Sequence, residues 1–96
     1  MKTLKKVEVT PVYLKGFMPD YELMEEGKIY ISKQYNTSIH RCLCGCGEKT
    51  VLPLHVLYGW ELIENNGQIS FTPSIGNFQL PCKSHYIITK GVANFV

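Results

Sequence analysis

Cys42-Leu43-Cys44-Gly45-Cys46, followed 36 residues beyond Cys46 by Pro81-Cys82, is the part of this chain that constrains its fold most. On an extended strand Cys42, Cys44 and Cys46 would share one face, with neighbours about 6.6 Å apart. That spacing is too wide for one metal ion, because zinc–sulfur bonds of about 2.3 Å need converging sulfurs. The backbone must therefore curl, and Gly45 and Gly47 tolerate the angles that curling requires. Cys82 would then complete a tetrahedral four-thiolate site and tie the middle of the chain to its last segment. The expectation is one structural Zn2+ held by Cys42, Cys44, Cys46 and Cys82, whose removal unfolds much of the domain. The spacing departs from a pair of CxxC knuckles, so other readings stay open. One clustered cysteine is a spectator, His40 or His85 replaces a thiolate, or all four thiols are free.

Working outward, 96 residues make one small domain, 1–96, whose short chain benefits from a staple. Metal is a better staple here than disulfides. Lys2, Lys5 and Lys6 near the start are not followed by the apolar core of a secretory signal, since Val7 to Leu14 alternates and includes Glu8. The chain reads as not exported, hence cytoplasmic and reducing, where disulfides rarely persist. No run approaches the roughly 20 apolar residues that span a bilayer. Ten basic and eight acidic residues give a net charge of +2 spread along the chain, without the basic stripe of a nucleic-acid binder. Neither membrane nor nucleic acid is expected as a partner, and the Lys2, Lys5 and Lys6 cluster reads as a solvated terminus.

Around the cysteines the chain is a series of short strands. Residues 5–14 alternate β-branched and aromatic side chains, and Pro11 inside that run points to an edge strand. Pro19 to Glu26 suits one or two helical turns stopped by Gly27. Lys28 to Ser32 alternates cleanly and leads to turn chemistry at Asn36-Thr37-Ser38. Val51 to Leu54 suits a short strand interrupted by Pro53. Trp60 to Glu64 and Gln68 to Thr72 flank Asn66-Gly67, a dipeptide suited to the positive φ angles of a tight hairpin turn. Ser84 to Thr89 and Val92 to Val96 flank Lys90-Gly91 in the same way. The fold class is therefore an all-β or β-rich small domain, with short antiparallel hairpins around a single zinc site. Trp60, Tyr58, Phe71 and Tyr86 are expected to fill its core.

For chemistry, the polar residues cluster at Thr72-Pro73-Ser74-Ile75-Gly76-Asn77 and Cys82-Lys83-Ser84-His85-Tyr86. Ser84 and His85 are adjacent, and on a strand their side chains point to opposite faces. Ser74 is the better mate for His85. It follows a bend at Pro73, and near Gly76 exposed backbone N–H groups could form an oxyanion pocket. Asp20, Glu48, Glu61 or a backbone carbonyl would have to orient His85, and spacing favours none of them. A second reading opens the metal site to water, with Glu48 as general base and one cysteine leaving in favour of His85. A turn serine beside an ordinary strand histidine is the bland alternative. His55 reads as a half-buried strand or loop residue, and His40 as a group supporting the metal ligands or facing solvent.

The segments HRCLCGCGEKTVLPL (residues 40–54) and GWELIENNGQISFTPSIGNFQLPCKSHYIITKG (59–91) carry CxCGCG, a central Trp60, PSI at Pro73 to Ile75 and CxSHY at Cys82 to Tyr86. In this combination the chain resembles the bacterial domain-of-unknown-function family sixty-five twenty-seven, over about residues 27 to 96. Members of that family are found beside ubiquitin-like proteins and their E1-like and E2-like conjugation enzymes. The resemblance implies a peptidase that processes or deconjugates a ubiquitin-like protein, with Ser74 or Ser84 as nucleophile, His85 as base and the cysteines on zinc. A non-enzymatic zinc-binding adaptor in the same conjugation system is the alternative, favoured by small size and by the lack of a convincing orienting acid.

Overall fold

The computed structural model describes residues 6–17 and 19–96. Lys2 and Lys5 of the basic cluster lie outside the described residues. The chain runs through β1 (Lys6–Glu8), β2 (Thr10–Tyr13), a 3-10 turn (Tyr21–Leu23), β3 (Lys28–Ser32), β4 (Thr37–Arg41) and β5 (Lys49–Pro53). It continues through β6 (Glu61–Asn65), β7 (Gln68–Thr72), β8 (Ile75–Gly76), β9 (His85–Thr89) and β10 (Val92–Phe95). These strands form two four-stranded sheets, ordered β1-β10-β9-β8 and β2-β3-β4-β5, and a β6-β7 ribbon. The architecture is the β-rich assembly of short hairpins that the alternating runs indicate.

The alternating stretch at the amino-terminal end is not one strand. It changes partners at Val9, whose N–H donates to Gly91 O while the next N–H, of Thr10, donates to Gly27 O. β1 thereby joins β10, and β2 joins β3 in the other sheet. The β2–β3 pair is parallel, because the two strands are separated by a long connection that includes the 3-10 turn rather than by a hairpin loop. Pro11 sits on β2 at the edge of its sheet, where its missing N–H leaves no gap in a central ladder. Asn66-Gly67 and Lys90-Gly91 both turn with positive φ, at 53° and 78° and at 48° and 78°. Those angles match the twist of the flanking strands and set the registers Asn65↔Gln68 and Val92↔Thr89.

Ile29 and Ile31 of β3, Leu52, Ile69, Phe71, Tyr86 and Ile88 are buried in one core, together with Cys42 and Leu43. Of the aromatics expected there, Phe71 and Tyr86 are fully enclosed and Trp60 packs half-buried against the cluster. Tyr58 does not enter it. Tyr58 is 78% exposed beside Val56 at 71% and Leu57 at 83%, because residues 55–59 form a projecting turn. The turn is pinched at its base, where Gly59 N–H donates to His55 O and Trp60 N–H to Pro53 O. A Cβ on Gly59 would lie 2.3 Å from Pro53 O, so only glycine lets the two strands of chain pass this closely. No helix among the described residues is long and apolar enough to cross a membrane.

Candidate metal centre and serine–histidine pair

Past β4 the chain leaves the sheet and turns through residues 43–46, so the three clustered cysteines do curl toward one point. Gly45 and Gly47 take φ of 90° and 85° there. Gly45 N–H donates to Cys42 O, and Cys42 N–H donates to Glu48 O. Cys82 approaches from the loop before β9. All four sulfurs lie within 4.8 Å of one another, with Cys42 Sγ 3.4 Å from Cys44 Sγ and 3.7 Å from Cys82 Sγ. Tetrahedral zinc with bonds of about 2.3 Å places its sulfurs about 3.8 Å apart. The cluster therefore has the donor type and the spacing to hold a metal ion, consistent with a structural zinc. Burial, first, and the neighbouring thiols push the Cys44 thiol up to about 12, whereas the contact with Ser84 draws Cys82 down to about 6. Four thiols this close resist ionising together, and a divalent cation reverses that balance by stabilising thiolates.

A buried polar chain runs inward from the sulfurs. Ser84 Oγ lies 3.0 Å from Cys42 Sγ and 3.5 Å from Cys82 Sγ, and receives the Asn77 Nδ2 donor at 3.1 Å. The same amide nitrogen faces Cys42 Sγ at 3.6 Å and Tyr86 OH at 3.3 Å, while Asn77 Oδ1 accepts from Thr50 Oγ1 at 3.2 Å. Tyr86 OH in turn meets His40 Nε2 at 2.7 Å. His40 is fully buried, so it does not face solvent, and burial lowers its pKa from 6.5 to about 4. It is bonded to a phenol and not to the metal cluster. Neither His40 nor His85 belongs to the four-thiol group.

On the opposite face of β9 lies the second constellation. Ser74 Oγ is 2.8 Å from His85 Nε2. The register explains how they meet. Gly76 of β8 stands directly across from His85, and Ser74, two residues earlier, shares Gly76's face, so the imidazole reaches it diagonally. Ile75 and Tyr86 point the other way, into the core. Glycine at 76 leaves space above its α-carbon that the Phe78 ring fills; a Cβ would meet that ring at 2.4 Å. The Phe78 ring also tilts against the His85 imidazole, centroids 5.3 Å apart. Trp60 Nε1 donates to Ser74 O at 3.3 Å, fixing the backbone at the serine. Both side chains of the pair are half-buried.

The strand geometry thus separates the two serines. Ser84, buried, turns toward the thiols, and His85, its neighbour, turns away toward Ser74. No carboxylate among the described residues is hydrogen-bonded to His85. Asp20 precedes the 3-10 turn, Glu61 stands on β6 opposite Thr72, and the exposed Glu48 contributes its backbone oxygen to the cysteine turn. His55 is half-buried and stacks on Tyr58 with centroids 3.8 Å apart. Asn77, Tyr86 and Thr50 were not singled out as site residues by sequence reasoning, because an amide, a phenol and a hydroxyl have no spacing signature of their own. Phe78 was missed as well, since a lone exposed aromatic is ordinary. A cavity of about 360 Å3 lined by Tyr13, Leu14, Lys15, Ile31, Lys33 and Gln34 contains none of these groups.

A family model described as the bacterial ubiquitination-like system serine protease (BubE) matches residues 15–96. No curated protein and no solved structure matches the chain.

Proposed function

The chain belongs to the bacterial ubiquitination-like system serine protease (BubE) family, and from that membership we propose that it is a serine peptidase processing or deconjugating a ubiquitin-like protein, with Ser74 as nucleophile and His85 as general base. The observation that carries the assignment to these two residues is the 2.8 Å contact between Ser74 Oγ and His85 Nε2. That is the hydrogen-bond reach a nucleophile and its base require. Ser84, the other serine near the histidine, is occupied in the thiol cluster and points away from it. In the forward step Ser74 Oγ bonds to the carbonyl carbon at the modifier's tail and its proton passes to His85 Nε2. The carbon–nitrogen bond to the leaving group breaks, and His85 returns the proton to the departing amine. Water then attacks the acyl-serine, giving its proton to His85, and the free carboxyl and Ser74 hydroxyl are regenerated. With no carboxylate among the described residues on the imidazole, the Phe78 ring and the β9 backbone hold it in place.

Cys42, Cys44, Cys46 and Cys82 would hold one Zn2+, whose role is structural: it supplies four bonds that fasten the residue 42–46 turn to the loop preceding His85. The partners are a ubiquitin-like protein and its E1-like and E2-like enzymes, and a reducing cytoplasm suits the free cysteines. A fluorophosphonate probe tests the reading. Purified wild-type protein is expected to gain one adduct at Ser74, and the folded Ser74→Ala and His85→Ala variants none. Labelling that persists in Ser74→Ala would assign the nucleophile elsewhere. The rival reading, a non-enzymatic zinc adaptor, draws on the absence of a carboxylate at His85 among the described residues and predicts partner binding without labelling or turnover.

A further inference from the structure

The nucleophile stands at the start of a strand with an open side. β8 is two residues long and ends the order β1-β10-β9-β8, so its outer edge pairs with no strand among the described residues. The register defines which groups face that edge. Ile75 pairs with Tyr86 and Gly76 with His85, and one step further Asn77 N–H donates to Ser84 O at 2.8 Å. Hydrogen-bonded and non-hydrogen-bonded pairs alternate along an antiparallel ladder. Ile75 therefore turns its main-chain groups toward β9, as Asn77 does its N–H, while the Asn77 carbonyl accepts from Leu80 N–H in the next turn. Gly76 turns both its N–H and its C=O outward, two residues from Ser74. Gly76 is half-buried rather than enclosed.

Side chains flank this edge with apolar surface. Phe78 is 61% exposed and lies across the face of Gly76 beside His85. Trp60 sits on the backbone of Ser74, and the exposed Val56-Leu57-Tyr58 turn leads directly into it. An outward N–H and C=O on one residue are complementary to one residue of an extended chain, which offers the same two groups in reverse. Recognition of that kind adds a strand to a sheet edge. Helices and central strands have these groups already paired, whereas a flexible tail offers them free.

We propose that the outer edge of β8 binds substrate as an extended peptide, with Gly76 supplying one donor and one acceptor to a single substrate residue near the scissile bond. This rests on Ser74 and His85 being the reacting pair, and it names the substrate class: a flexible tail presented as a strand, with Phe78 covering it on one face. Sequence preference then comes from side chains, while the main-chain contact is common to any unfolded segment.

The experiment compares rates of Ser74 labelling by capped peptidyl phosphonates, each carrying a single N-methyl group at a different position. Labelling forms an Oγ–phosphorus bond, expels the phosphonate's phenoxide leaving group and passes the serine proton to His85. N-methylation at the one residue facing Gly76 is expected to slow labelling by about 10-fold or more, because it removes a donor and leaves the Gly76 carbonyl unpaired. At the positions on either side it is expected to change little. Equal rates across the series, or a uniform slowing, would overturn the proposal while leaving the catalytic pair intact. Failure of a simple alkyl fluorophosphonate to label Ser74 at all would instead remove the catalytic reading, and the edge proposal with it.

Discussion

His40 is fully buried, with Nε2 against Tyr86 OH and Nδ1 lacking a hydrogen-bond partner among the described residues. Protonating it inside the fold would strand a charge away from water. Burial therefore holds its pKa at about 4 against 6.5 in the unfolded chain. Between those values the unfolded state takes up a proton and the folded state does not. Stability is complete above pH 6.5 and falls as the pH drops toward 4, by roughly 3 kcal/mol in all. Denaturant titrations of metal-loaded protein across that window should show the fall, and His40→Gln should flatten it. Acid weakens thiolate–metal bonding in both proteins, so the difference in slope isolates the histidine. Equal slopes would mean that His40 does not titrate with folding.

The short elements from β8 to β9 carry both constellations, one on each face, and Asn77 joins them. Its side chain donates to Ser84 and Tyr86 and accepts from Thr50, while its backbone N–H secures β8 to Ser84. Asn77→Ala would leave these buried groups short of partners, at about 2–3 kcal/mol. The expected outcome is a lower melting temperature together with weaker retention of metal against a chelator; unchanged metal retention would show that the network does not support the cysteines. At this scale the hairpins were readable because Asn66-Gly67 and Lys90-Gly91 need backbone angles that few residues adopt. The curl at Cys42 to Cys46 was readable because sulfur geometry forbids an extended strand. β4 was not, since Thr37-Ser38-Ile39-His40-Arg41 holds one apolar side chain among polar ones and so shows no apolar alternation, although Ser38 and His40 are buried with Ile39. β8 is too short to leave a pattern. The partner change at Val9 was invisible because both halves share one strand-like run. The diagonal approach of His85 to Ser74 was legible only as a preference over Ser84, from the alternation of side chains on a strand. Its dependence on Gly76 and Phe78 required the register.

In the whole molecule the thiol cluster joins the turn after β4, in one sheet, to the loop before β9, in the other. A core of short strands has little to spare, so loss of that joint should be felt everywhere. Treatment with excess chelator is expected to abolish cooperative thermal unfolding and Ser74 labelling together, and added zinc to restore both. A metal-free protein that keeps its melting transition would reduce the cluster to a set of neighbouring thiols.

The pairing of β1 with β10, Lys6 against Asn94, has a consequence for how the protein comes into being. β1 waits for a partner made some 85 residues after it, and such distant contacts delay folding. Cys82 and His85 emerge late as well. Until synthesis has passed through Cys82 and His85, neither the four-thiol cluster nor the Ser74–His85 contact can form, so both wait on the same late stretch of chain that completes the β1–β10 sheet.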